Sequence, residues 1–208
     1  MAVTKVSNSG IKTGVLKYDS MLAGNAAYDP AATWLIQRVA GTGSSNTITF
    51  SSIPTGYTSL QLRILYKDTS TTDYTVMNAP INLRFNSDTA QNYRAHILYG
   101  TGSSALANDS GTGFTALPVY GCYMSSGATF ANMMGVSIID IHDYNSTTRN
   151  KTIRNFAGND GNQSSANRAV TLSSGVWLST AAVTSITILS AATNFTSTTS
   201  IALYGMKG

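Results

Sequence analysis

The sequence predicts an all-β protein: an antiparallel β-sandwich, jelly-roll-like, with an extended N-terminal arm. Three observations lead there. The chain has nine Asp and no Glu, and charged residues make up 11% of it, against about 25% in typical domains. Helices of soluble proteins build their wet faces from Glu, Lys and Arg, so this composition argues against a helix bundle, a coiled coil or a standard α/β enzyme. Ser and Thr number 54 of 208 residues, beside 11 Tyr, 6 Phe and 2 Trp, a mixture that suits pleated surfaces. Finally, ten or so short apolar runs are separated by Gly, Pro, Asn and Ser clusters every 8–15 residues, which leaves no room for regular βαβ crossovers. An up-and-down barrel is the second architecture compatible with this spacing.

The elements follow in order. Residues 34–39, Trp-Leu-Ile-Gln-Arg-Val, read as a strand. The turn at 41–45 leads into Asn46–Phe50, where Ile48 and Phe50 share a face. Pro54-Thr55-Gly56 is a turn by its chemistry. Tyr57–Lys67 alternates, with Leu60, Leu62, Ile64 and Tyr66 on one side and Gln61 and Arg63 on the other. Ile81–Phe85 and Tyr93–Tyr99 are strands around the polar loop 86–92. Residues 100–113 read as a surface loop of Gly, Ser and Asn. Phe114–Tyr123, Thr129–Tyr144, Arg149–Phe156, Arg168–Leu172, Val176–Leu178, Val183–Leu189 and Ser200–Tyr204 complete the strands. The shared Gly-Thr-Gly-Ser-Ser at 41–45 and 100–104 is loop chemistry, and no longer repeat is present.

Residues 1–32 differ from the rest. They lack sustained alternation and cannot form a core alone, but Ile11, Leu16, Tyr18, Leu22 and Tyr28 are spaced like anchors. The expected organisation is therefore an extended arm over 1–32 and a β-sandwich domain over 33–208.

The net charge is +4, yet no stretch holds three basic residues together. Nucleic-acid binding requires a clustered basic stripe, so no nucleic-acid partner is expected. Cys122 is the single cysteine and lies in an apolar run, which predicts a small packed hydrophobe and excludes an intramolecular disulfide. No apolar run approaches a membrane span, and the N-terminal MAVTKVSNSG lacks the apolar stretch of a signal peptide. No membrane partner is expected, and folding in a reducing cytosol is.

Candidate chemistry is sparse. Asp140 and His142 share a face if Gly135–Ile141 is a strand, so they could hold a metal or act as orienter and base, with His96 or Asp88 completing the set. The plainer role is a polar strand end running into the turn 143–146. His96 reads as a sheet residue, and Met133-Met134 as gap filling. There is no nucleophile elbow, phosphate loop or His-Glu-x-x-His motif, and no cofactor is expected. Tyr93, Tyr99, Tyr120, Tyr123 and Tyr144 stand beside Asn, Gly and Ser loops. Of these, Tyr93, Tyr99 and Tyr144 are the candidates for stacking on a glycan or a protein partner; alternatively they cap the sandwich ends.

Several segments together carry a resemblance. Phe50-Ser51-Ser52-Ile53-Pro54-Thr55-Gly56-Tyr57 with Leu60-Gln61-Leu62-Arg63 resembles a segment of tailed-phage virion proteins, particularly those of aquatic phages. Leu83–Thr89 with Asn92-Tyr93 and Leu98-Tyr99-Gly100, Ile139-Asp140-Ile141 with Asp143-Tyr144, Lys151–Arg154 and Ala202–Gly208 are similar to the same group, as is Lys17–Asn25. The resemblance implies a non-enzymatic virion component, made in the host cytoplasm and displayed on capsid or tail, often as a homotrimer. It supplies no active-site residues. The expected function is a capsid decoration or cement protein anchored by its N-terminal arm, with the major capsid protein or tail proteins as partners. The alternative is a short tail fibre or receptor-binding module that contacts host surface polysaccharide.

Overall fold

Strict alternation makes the strands. In Ser59–Tyr66, Leu60, Leu62, Ile64 and Tyr66 are all buried while Arg63 and Leu65 face outward, the period-2 pattern of a pleated strand with one side on a core. The computed structural model describes residues 33–72, 81–109, 113–127, 130–161 and 168–207. The expected arm, with Ile11, Leu16, Tyr18, Leu22 and Tyr28, lies outside the described residues.

Twelve strands run in order among the described residues: β1 (Thr33–Ala40), β2 (Thr47–Phe50), β3 (Ser59–Tyr66), β4 (Ile81–Phe85), β5 (Tyr93–Gly100), β6 (Ala105–Asp109), β7 (Leu117–Val119), β8 (Gly135–His142), β9 (Lys151–Asp160), β10 (Arg168–Trp177), β11 (Ile186–Ser190) and β12 (Ser200–Met206). They form an eight-stranded sheet in the order β1-β12-β3-β8-β9-β10-β5-β6 and a four-stranded sheet in the order β2-β11-β4-β7. All pairs are antiparallel. The sandwich expectation therefore holds, and the barrel alternative does not, because the strands divide between two sheets.

One core lies between the sheets. Leu83, Phe85, Ile186 and Ile188 from the small sheet meet Leu60, Leu62, Ile139, Ile153 and Leu203 from the large one. Each such side chain contributes about 1.5–3 kcal/mol by leaving water. Aromatic rings close the two ends. Tyr66 meets Phe195 edge-on at 5.8 Å, and Trp177 lies 5.5 Å from Phe85 and stacks on Tyr93 at 6.4 Å.

Three strand readings need correction. The predicted loop 100–113 contains β6, whose five residues are all exposed; no alternation could betray it, because neither of its faces is buried. In the predicted strand 114–123 the ladder is confined to Leu117–Val119, apart from a single bridge of Phe114 to Tyr93, and Pro118 lies on the sheet edge, where a missing N–H costs no ladder bond. The predicted strands 168–172 and 176–178 are one strand, β10. Ser173-Ser174-Gly175 is not a turn: a Cβ on Gly175 would stand 2.3 Å from Leu117, so glycine is there to let the two sheets approach.

Candidate docking face

The eight-stranded sheet has a second side, and register determines what it shows. Residues directly opposite each other in antiparallel strands point to the same face. Across β8, β9, β10 and β5, Ile138 faces Phe156, Phe156 faces Leu172, and Leu172 faces Leu98. The same row continues the other way through Arg63 and Ala202 to Arg38. A parallel row runs Leu65, Val136, Gly158, Val170. These side chains alternate with the buried ones on the same strands, so they lie on the side away from the small sheet. Eight of the large exposed apolar residues, including Phe156 at 58%, Val170 at 58% and Leu98 at 53%, share this face. Isolated exposed apolar residues are ordinary; eight on one sheet face form a patch.

Gly158 and Ala202 leave gaps in the rows. Over them opens a groove of about 580 Å³, lined by Arg38, Arg63, Leu65, Val136, Phe156 and Val170 among others. A second hollow, of about 720 Å³, lies over Leu98, Leu172, His96 and Arg154.

A polar row borders the apolar one. Gln61 faces Asp140, Asp140 faces Arg154, and Arg154 faces Ser174, which faces His96. Gln61 Nε2 donates to Asp140 Oδ1 at 2.9 Å, and Arg154 donates to Asp140 Oδ2 at 2.7 Å. Burial pushes the Asp140 carboxyl up, but these two donors and the charge of Arg154 hold it below the ordinary carboxylate range. Arg38 donates to the Ser200 hydroxyl at 2.8 Å. Arg63 donates to Gln61 Oε1 at 2.9 Å and covers the Tyr204 ring at 4.7 Å.

Asp140 and His142 do share a face, as expected, but the rest of the candidate catalytic set does not assemble. His96 stands three strands away in the same polar row, on the order of 14 Å at sheet spacing. Asp88 is occupied elsewhere, accepting from Trp177 Nε1 at 2.7 Å, Ala90 N at 2.8 Å and Asn92 Nδ2 at 2.9 Å. Among the described residues no three His, Cys, Asp or Glu side chains gather as a metal site.

The tyrosine candidates are corrected as well. Tyr93 and Tyr144 are 0% exposed and cannot offer a ring to a glycan. Each spends its hydroxyl on backbone inside the fold: Tyr93 accepts from Phe85 N at 3.0 Å, and Tyr144 donates to Pro54 O and accepts from Tyr57 N at 3.4 Å. They are the sandwich-end caps. Tyr99 alone stays partly exposed. Cys122 is buried, and burial pushes its thiol up.

Sequence reasoning passed over the apolar face. Its signal was present in β8–β10, where Val136, Ile138, Phe156, Val170 and Leu172 occupy the parity that Gln61 and Arg63 hold in β3. No protein family, no curated protein and no solved structure matches the chain.

Proposed function

We propose that this chain is a non-enzymatic phage virion structural protein, a capsid decoration or cement protein held on the particle surface, with residues 1–32 as its anchoring arm. One observation carries the docking part of this reading. The outer side of the eight-stranded sheet carries rows of exposed apolar side chains with arginines at one end and a polar row beside them, the composition of a surface that another protein covers. The resemblance of the sequence segments supplies the virion. Trimer formation fits the sheet edges, because among the described residues β1 and the fully exposed β6 are the outermost strands of the large sheet, edges that neighbouring subunits would cover. The tie of Asp140 to Gln61 and Arg154 favours a structural use of that carboxylate over a catalytic one.

The receptor-binding alternative loses ground on geometry, since two of its three aromatic candidates are core residues. The test is the copy number of this protein in purified particles, by quantitative mass spectrometry against the major capsid protein. A number that tracks the capsid lattice supports decoration. A number that matches the tail favours a fibre, and absence from particles overturns both.

A further inference from the structure

The chemistry of the face narrows what covers it. We infer that its occupant is a segment of another protein carrying apolar side chains beside carboxylates, which seats on Ile138, Phe156, Leu172 and Leu98 and reaches Arg63 and Arg38 with its acids. The inference rests on the docking reading of this face and not on the virion assignment.

Area permits such a partner. Eight strands about 4.8 Å apart, with eight-residue strands rising about 3.3 Å per residue, span on the order of 900 Å². A standard stable interface buries about 800 Å² on each side. The central apolar row supplies the desolvated middle, and the arginines and the Asp140 row supply the rim.

Charge selects the partner. Arg38 and Arg63 are exposed and lie in the same cross-strand row as Ile138 and Phe156. Their partners are a hydroxyl, an amide oxygen and a ring, and neither forms an ion pair with a described carboxylate. Arg154, by contrast, is already neutralised by Asp140. Covering Arg38 and Arg63 with an uncharged surface would strip water from two cations without return, whereas carboxylates meet them with charge-assisted, bidentate bonds. A second copy brings the same surplus of arginine on a chain whose net charge is +4, so like charges oppose that pairing. An anionic bilayer fits worse than a protein. The Gln61–Asp140–Arg154 row borders the apolar one and would be dragged out of water by bilayer hydrocarbon, whereas a protein partner leaves it at a wet rim.

The experiment uses the full chain and two short peptides immobilised on a sensor, one alternating Leu with Asp and one alternating Leu with Lys. Phosphatidylglycerol vesicles and sedimentation of the protein alone complete it. The expected result is binding to the Leu/Asp peptide and not to the Leu/Lys peptide. Phe156→Ser and Leu172→Ser should each weaken it about tenfold. Arg38→Gln combined with Arg63→Gln should weaken it about tenfold and remove its salt dependence. These four side chains are exposed, so circular dichroism should report an unchanged fold. No binding to the Leu/Asp peptide, equal binding to both peptides, indifference to the variants, or vesicle binding through Phe156 would each overturn the inference. Self-association lost on Phe156→Ser would overturn it in favour of a second copy. Absence of the protein from phage particles would remove the virion reading and leave this result untouched.

Discussion

Ile138 and Phe156 stand directly opposite each other on β8 and β9, and both side chains point away from the core, 44% and 58% exposed. One residue along, Ile139 and Asn155 also pair, on the buried side. The same two strands thus place apolar residues on both faces. A strand that only covered a core would carry polar residues outside, as β3 does at Gln61 and Arg63 but not at Leu65.

Phe156→Ser should leave stability within about 0.5 kcal/mol of the parent, because the ring is not part of the core. Leu62→Ala, at a fully buried position on β3, should cost about 2–5 kcal/mol. Urea denaturation of the two variants measures the contrast, and a large loss in Phe156→Ser would mean that the ring supports the fold.

Lys151 is fully buried, and its ammonium is surrounded by carbonyl oxygens. Nζ lies 2.8 Å from Ser146 O, 2.7 Å from Arg149 O and 3.2 Å from Thr180 O, so one side chain ties the 146–149 turn to the segment after β10. Lys151→Met keeps the apolar stem and removes the donors. It should cost about 1–3 kcal/mol, with faster amide exchange confined to those two segments.

Asp88 should make stability depend on acid. Burial raises its carboxyl, but the bonds from Asn92, Trp177 and Ala90 together hold it below its ordinary 3.8. A carboxyl lowered in the folded state stabilises above its unfolded value, and that contribution is lost as pH falls from 3.8 through the folded value. Asp88→Asn should therefore cost about 1–3 kcal/mol at neutral pH and progressively less below 3.8. Denaturation of both proteins across that range reads the difference; a penalty independent of pH would assign the loss to geometry alone.

Cys122 is 0% exposed, and its thiol is pushed away from the reactive thiolate by burial. A thiol reagent should leave the native protein unmodified and react at the rate of global unfolding. Rapid modification under native conditions would mean that the 120–127 segment opens on its own.

Much of this was legible in the sequence. Leu60, Leu62, Ile64 and Tyr66 announced β3, and Ile81, Leu83 and Phe85 announced β4, because each strand buries one face and alternation records burial. β6 was illegible for the same reason: Ala105–Asp109 buries nothing and exists only by pairing with β5. Tyr93 and Tyr144 were misjudged because their neighbours are polar loops, and sequence proximity to a loop does not say which way a ring turns. The outer face was the hardest to see. Its rows join residues as distant as Leu98, Leu172, Phe156 and Ile138, and only the strand order brings them side by side.

The most direct test of the docking account is the accessibility of this face in the assembled particle. A cysteine introduced by Phe156→Cys is surface-exposed, while Cys122 stays buried, so maleimide labelling reports one site. The account predicts ready labelling of the isolated protein and strong protection in purified virions. Equal labelling in both states would contradict it.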